Sequence, residues 1–197
     1  MSVKVLGIVC SPRQGGNTEI LVNAALDAAR EAGAETRLFQ VAGKNIAPCD
    51  GCGACVESGK CKIKDDMQDL YRLFDEVDGV IFGTPVYFLN VTAQAKAIMD
   101  RTHSMLKERN LRGKVAAAIV VARRVGAGQV LGLLYGFFVG QRMMVAGGGI
   151  GYGREKGEVR QGVGGTPSLS ALEEARAVGR NVTRLVAQLT KEKKPPA

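Results

Sequence analysis

The sequence predicts an α/β fold: a doubly wound, five-stranded parallel sheet in the order 2-1-3-4-5, with helices on both faces. Three observations carry that expectation. Short Val- and Ile-rich runs alternate with longer helical stretches, the pattern of parallel strands joined by crossover helices. The run at 115–122, VAAAIVVA, is apolar throughout, as a central strand covered on both faces must be. Right-handed crossovers between five such strands favour the stated order.

The elements follow in turn. Residues 4–10, KVLGIVC, read as a buried first strand. A polar turn at 11–18, SPRQGGNT, leads into a helix over 18–32 with Ile20, Leu21, Ala24, Ala25 and Ala28 on one face and Gly33 at its end. Residues 36–41 make the second strand. After a loop at 46–66, Asp65 and Asp66 stand where they can cap a helix over 67–74. The third strand, 80–83, feeds Thr84-Pro85-Val86-Tyr87-Phe88. A helix over 92–107, the fourth strand at 115–122, a helix over 129–139 and a fifth strand at 143–146 come next. A glycine-rich loop is expected over 147–166, with Ser168 capping a last helix at 169–189. Residues 1–190 therefore read as one domain, and 191–197 as a solvated basic tail. Ligands of such sheets sit outside the carboxyl ends of the strands, at the switch point between strands 1 and 3. Each unusual segment follows a strand, so one edge of the sheet is expected to gather them all.

Composition narrows the class. The chain has 197 residues, enough for a full core, and 46% hydrophobic with 23% charged residues is ordinary for a water-soluble fold. A net charge of +8 suits an acidic partner or an anionic cofactor. No aromatic-interleaved basic stripe or nucleic-acid reader motif accompanies it, so no nucleic acid is expected. The apolar start is too short for a signal sequence, and the run at 132–139 is too short for a bilayer. The expected location is the cytoplasm, where thiols stay reduced.

The most concentrated chemistry is IAPCDGCGACVESGKCKIKDDM at 46–67. Cys49, Cys52, Cys55 and Cys61 are spaced C-x2-C-x2-C-x5-C, four of the five cysteines of the chain. Thiols at steps of three, on a loop softened by Gly51 and Gly53, can turn inward around a [4Fe–4S] core, with one thiolate per iron. Zinc is an alternative, although its four-thiolate sites usually set two C-x-x-C knuckles well apart. A disulfide or a C-x-x-C redox pair is another, the first needing an oxidising compartment and the second leaving two thiols without a role. The last gap is five residues, and Pro48 precedes the first cysteine, so this is not a ferredoxin repeat. Cys10 is expected to pack at its strand end.

The second motif is the turn at 11–18. It meets a helix N-terminus, where free N–H groups and the helix dipole favour an anion. Ser11, Asn17 and Thr18 can add hydrogen bonds and Arg13 a forked charge. Neither a Walker A motif nor G-x-G-x-x-G is present, so the natural ligand is a single terminal phosphate. An ordinary strand–helix turn is the alternative.

Residues 7–18, together with Thr84-Pro85-Val86-Tyr87-Phe88, resemble the flavodoxin-like NADPH-dependent FMN reductase superfamily. With the compact cysteine motif, the sequence is most similar to its iron–sulfur flavoprotein subgroup, over roughly residues 3–146. The resemblance implies a flavodoxin-like fold, FMN and a [4Fe–4S] cluster. It also implies electron transfer between a ferredoxin or similar acidic redox protein and the flavin, and then to oxygen, peroxide, a quinone or a protein. It places Ser11, Arg13, Asn17 and Thr18 on the FMN phosphate. Pro85, Val86, Tyr87 and Phe88, with Asn90 near them, lie beside the ring, and Gly147 and Gly148 approach its other edge. Cys49, Cys52, Cys55 and Cys61 become the cluster ligands. Cys10 stands where the family more often has Ser or Gly.

Other features carry paired readings. Arg123 and Arg124 are either solvated or set to stabilise an anionic reduced flavin. His103, the only histidine, is expected to pack or face solvent. Lys60, Lys62 and Lys64 form either a docking patch for an acidic partner or an exposed polar edge. Gly128, Gly132, Gly136 and Gly140 recur every four residues; they either break the helix or leave a groove for a second subunit or the chain's own sheet. A homodimer or homotetramer is therefore expected. Two rival functions are an NAD(P)H-dependent FMN or quinone reductase without a cluster, and a non-enzymatic flavodoxin-like carrier.

Overall fold

The computed structural model of the protein describes residues 2–160 and 170–192. Five strands, β1 (Lys4–Val9), β2 (Glu35–Gln40), β3 (Gly79–Pro85), β4 (Val115–Ala122) and β5 (Met144–Tyr152), pair in parallel in the order β2-β1-β3-β4-β5. Helices α1 (Asn17–Glu31), α2 (Ala54–Ser58), α3 (Met67–Glu76), α4 (Ala93–Arg101), α5 (Ala127–Gly140) and α6 (Ala171–Glu192) surround the sheet. Every residue of β4 is buried, which is why its sequence carries no polar alternation.

Successive side chains of each strand face opposite layers. Val5, Val9, Ile81 and Ile119 meet Leu21 and Val22 of α1 and Val182 of α6. Leu6, Ile8, Phe82 and Val120 meet Leu70 of α3, Ile98 of α4, and Leu134 and Phe138 of α5. Gly83 of β3 brings α1 close to the sheet: a Cβ there would stand 2.4 Å from Val22 Cγ2 and 3.2 Å from Thr18 Cγ2.

Two expectations are corrected, and one choice between readings is decided. The helix beginning near Thr92 ends at Arg101 and tightens into a 3₁₀ turn, Thr102–Met105. Thr102 Oγ1 donates to Met99 O and Ser104 Oγ to Arg101 O, side-chain bonds that compete with the α-ladder. The fifth strand runs through Gly147 and Gly148 to Tyr152, where a loop was expected. Its pairing with the fully buried β4 overrides the glycines, and Gly147, at φ 108°, lies beside the register shift opposite Ala116/Ala118. The helix expected over 129–139 is present and unbroken as α5. Its Val130, Leu134 and Phe138 face the core, whereas a Cβ on Gly128, Gly132, Gly136 or Gly140 would meet nothing within 4 Å. The chain's own sheet does not fill that groove.

Ser168 and most of the basic tail lie outside the described residues. Among those described, no helix is long and apolar enough to cross a membrane.

Candidate functional site

The turn after β1 makes one wall of a cavity of about 460 Å³ at the carboxyl edge of the sheet. Cys10 N donates to Gly83 O at 2.8 Å and Thr92 Oγ1 donates to Cys10 O at 2.7 Å, tying the end of β1 to the β3–α4 connection. Burial pushes the Cys10 thiol far above its ordinary range, so it packs as an apolar group. Ser11 and Thr18 are buried at the cavity, and Arg13 N donates to Ser11 Oγ at 3.1 Å. Gly16 caps α1 in an extended conformation, and no side chain takes up the cap. The dipole and first N–H groups of a fifteen-residue helix thus stand at the cavity, as an anion requires.

The β3–α4 connection makes a second wall. Val86 N donates to Val121 O at 2.7 Å, which seats Pro85, Val86 and Tyr87 against the cavity. Tyr87 and Asn90 exchange backbone hydrogen bonds across a two-residue turn whose residues, Phe88 and Leu89, both have positive φ, 47° and 62°. This is type I′ geometry, here without glycine, and such strain gathers at functional loops. The turn throws Phe88 out of the cavity, and its ring is fully exposed. The lining thus holds Ser11, Arg13, Asn17, Thr18, Pro85, Val86 and Tyr87 together and leaves out Phe88, Gly147 and Gly148. Gly148 lies within β5, where a Cβ would meet Leu131 Cδ1 at 2.6 Å, so it serves the approach of α5 to the sheet.

The remaining wall is Arg123, after β4, and Gly153, Arg154, Glu155 and Lys156, after β5; Arg124 does not line the cavity. Asn17 holds this last segment in place. Its Nδ2 donates to Glu155 O at 2.8 Å, and its Oδ1 accepts from Gly157 N at 2.7 Å. Four cations, Arg13, Arg123, Arg154 and Lys156, thus face one carboxylate, Glu155, around the cavity. The chemistry of this donor set fits a phosphate-bearing ligand.

The cysteines line a different cavity, of about 260 Å³, which shares no lining residue with the first. This corrects the expectation that one sheet edge gathers every unusual segment. The helix α4 leaves the carboxyl edge at Thr92 and runs back about 12 Å over its length. Its far end, with Arg101, His103 and Ser104, forms the floor against which the cysteine loop folds.

Cys49, Cys52, Cys55 and Cys61 all line this cavity and are all free thiols. Gly51 and Gly53 turn the loop with φ of 68° and 73°, and nothing lies within 4 Å of a Cβ built on either. Asp50 spans the ring of thiols: Oδ1 accepts from Cys52 N at 3.2 Å, and Oδ2 pairs with Lys62 Nζ at 3.2 Å. Hydrogen bonds from Cys52 and Lys62 hold its carboxyl below the ordinary aspartate range. Burial pushes the Cys55 thiol up, and the charges of Cys61, Cys52 and Cys49 add to that, so the four groups share one field. His103 Nδ1 lies 3.4 Å from Cys55 Sγ, a placement its helical position did not reveal.

Among the described residues no three His, Cys, Asp or Glu side chains are grouped to hold one metal ion. Four free thiols around one cavity are a donor set that an iron–sulfur core can take, one thiolate per iron.

Sequence spacing also missed the residue that closes the loop. Arg101 is only 2% exposed. Its Nη1 donates to Ala47 O at 2.9 Å and to Asp65 Oδ2 at 2.7 Å; its Nη2 donates to Asp65 Oδ1 at 3.0 Å and reaches Ile63 O at 3.4 Å. Asp65 in turn accepts from Ala47 N at 2.9 Å and Met67 N at 3.1 Å. One guanidinium–carboxylate pair thus joins the segment before Cys49 to the segment after Cys61. Asp65, expected only to cap α3, is engaged mainly here.

A doubly wound sheet with a phosphate-fitting cavity at its switch point and four thiols on its flank defines a flavodoxin-like redox protein. Solved structures agree on the fold. RosB with a bound flavin-derived intermediate superposes with a TM-score of 0.78 at 19% identity, over 98% of this chain and 82% of that one. The WrbA-like protein of Agrobacterium tumefaciens gives 0.65 at 17% identity, over 95% and 99%. The profile of the NADPH-dependent FMN reductase family matches residues 3–155. An iron–sulfur flavoprotein of Methanocaldococcus jannaschii is 38% identical over 96% of this chain and all of its own length. A second one from that organism is 43% identical over 75% of this chain and 76% of its own. The chain belongs to the NADPH-dependent FMN reductase family and, within it, to the iron–sulfur flavoproteins, and it is a flavin-dependent oxidoreductase.

Proposed function

We propose that this oxidoreductase binds FMN in the cavity at the α1 N-terminus and a [4Fe–4S] cluster in the cysteine cavity. Electrons pass between a ferredoxin or similar acidic redox protein, the cluster and the flavin, and then to oxygen, peroxide, a quinone or a protein. The observation that carries this is the coexistence, in one chain, of a cation-rimmed helix N-terminus and a separate cavity lined by four free thiols.

When bound, the cluster supplies one-electron and the flavin one- or two-electron chemistry. The residues of the chain bind and orient. Ser11 and Thr18 offer hydroxyls at the phosphate end, while Arg13, Arg154 and Lys156 neutralise its charge. Asn17 acts indirectly, by fixing the segment that carries Arg154 and Lys156. Pro85, Val86 and Tyr87 give the ring an apolar wall, and Arg123 faces it from β4. Cys49, Cys52, Cys55 and Cys61 hold the iron. Lys60 and Lys64 stay exposed on either side of Cys61, whereas Lys62 is paired with Asp50, so the first two carry the attraction for an acidic partner.

The test is anaerobic purification followed by counting iron, sulfide, zinc and FMN per chain. About four iron, four sulfide and one FMN are expected. FMN without iron, after anaerobic reconstitution has also failed, overturns the cluster assignment and leaves an NAD(P)H-dependent FMN or quinone reductase.

A further inference from the structure

The Arg101 side chain is fully enclosed, and so is its salt-bridge partner Asp65, at 0% and 3% exposure. Two of its three nitrogens are saturated by Asp65, Ala47 and Ile63. The third, Nε, is buried and has no hydrogen-bond partner. A buried donor without an acceptor is uncommon and calls for an explanation. Arg101 also lines the cysteine cavity. A fixed, fully enclosed cation with one spare N–H therefore stands behind the wall of a cavity lined by four thiols.

We propose that Arg101 is a positioning residue for the iron–sulfur cluster: its two Nη groups close the cysteine loop, and its Nε–H and charge serve the sulfurs held in the cavity. The inference rests on the cysteine cavity holding a cluster. The loop has little burial to shape it, and beside the Arg101 contacts its ends are joined by Asn45 N donating to Asp66 Oδ2 at 2.7 Å and Asp66 N donating to Asn45 O at 3.1 Å. Apart from the enclosed Asp65 side chain, the segment 42–66 buries no residue, and α2 buries none of its side chains. The guanidinium gathers the loop at both ends, so the thiols stand around the cavity before iron arrives. Hydrogen bonds and positive charge at the sulfurs favour the more negative, reduced state of a cluster, so Arg101 raises its reduction potential. Burial by itself disfavours charge on Arg101, but hydrogen bonding to Asp65, and then to Tyr71, outweighs it.

The experiment compares wild type with Arg101→Lys, Arg101→Gln and the double variant Arg101→Leu/Asp65→Leu. Amide exchange at Ala47 is measured on the full chain as purified, and the cluster midpoint potential on protein loaded to equal iron content. Expected in Arg101→Gln is at least tenfold faster exchange at Ala47 and a tenfold shift of the reduction equilibrium toward the oxidised cluster, about 59 mV lower for one electron. Arg101→Lys, which keeps the charge and loses the fork, recovers part of the potential but not the exchange protection. Should Arg101→Gln fail to fold, the double variant supplies the comparison through its midpoint potential alone, because it buries no unpaired charge but also removes the acceptor of the Ala47 N–H. Loaded variants with wild-type potential and wild-type Ala47 exchange overturn the proposal. Absence of iron in reconstituted wild type overturns the cluster assignment instead, and the Ala47 exchange then decides whether Arg101 closes the loop.

Discussion

The phosphate cavity rests on the carboxyl ends of β1, β3, β4 and β5, and its walls are tied to the sheet by backbone bonds at Cys10, Val86 and Gly153. The cysteine cavity rests on a loop that, apart from the Asp65 side chain, buries no residue, and on the far end of one helix. The first is held by many weak constraints spread over the core, and losing one leaves the rest. The second is held by a few hydrogen bonds across the ends of its loop and by one buried ion pair, whose two charges are each costly without the other. Where a loop must turn several thiols toward one point, and so cannot use those side chains for packing, a single guanidinium with several acceptors takes over the work of a core.

The sharpest way to break this contrast is to remove one cation from each cavity. Arg101→Met leaves Asp65 buried without its partner and should lower the unfolding free energy by about 3–5 kcal/mol. Arg13→Met changes an exposed side chain and should stay within about 0.5 kcal/mol, its effect falling on FMN affinity. Urea denaturation and fluorescence titration with FMN read the two effects separately. Equal stability losses would show that the two cavities are held alike.

A smaller effect tests the other side. Gly83→Ala puts a methyl group 2.4 Å from Val22 Cγ2 and 3.3 Å from Ile8 O, directly under the first turn of α1. Overpacking of that kind costs about 1–3 kcal/mol. Because Thr18 moves with α1, FMN binding should weaken, while iron content stays at the wild-type value. Loss of iron together with FMN would show that the cavities are mechanically coupled.

The sequence carries the two halves of this contrast unequally. The sheet and the turn at 11–18 are legible because their signals are local: apolar runs, turn residues and a helix start lie side by side. The cysteine spacing is legible for the same reason. What closes the loop is not, because Arg101 and Asp65 are 36 residues apart and belong to no shared motif. One clue was present. Arg101 follows Ala95 and Ile98 on the buried stripe of α4, where an arginine survives only with a partner. Asn17 shows a similar limit: at a helix start it reads as a phosphate ligand, and no local signal reveals that its side chain also holds Glu155 and Gly157. The sequence supports a strand only over 143–146 because glycines weaken strand propensity, while the length of β5 is set by pairing with β4.

The smallest expected effect is one of pH, and it isolates the ion pair from everything else. Burial alone would raise the Asp65 carboxyl, but the hydrogen bonds from Arg101, Ala47 and Met67 pull it below the usual aspartate value of about 3.9. With the folded value below the unfolded one, the unfolded chain binds more protons between the two, so stability rises with pH in that window. The contribution is complete above the unfolded value and disappears as pH falls through the folded one. Other acids with depressed values, such as Asp50 and Glu158, titrate as well, but they are present in both wild type and Arg101→Leu/Asp65→Leu. The difference in unfolding free energy between those two proteins should therefore be flat from about pH 7 to pH 5 and should shift against wild type below about pH 4. Parallel curves down to the acid limit would mean that Asp65 titrates alike in the folded and unfolded chain, and that something other than this pair holds the cysteine loop.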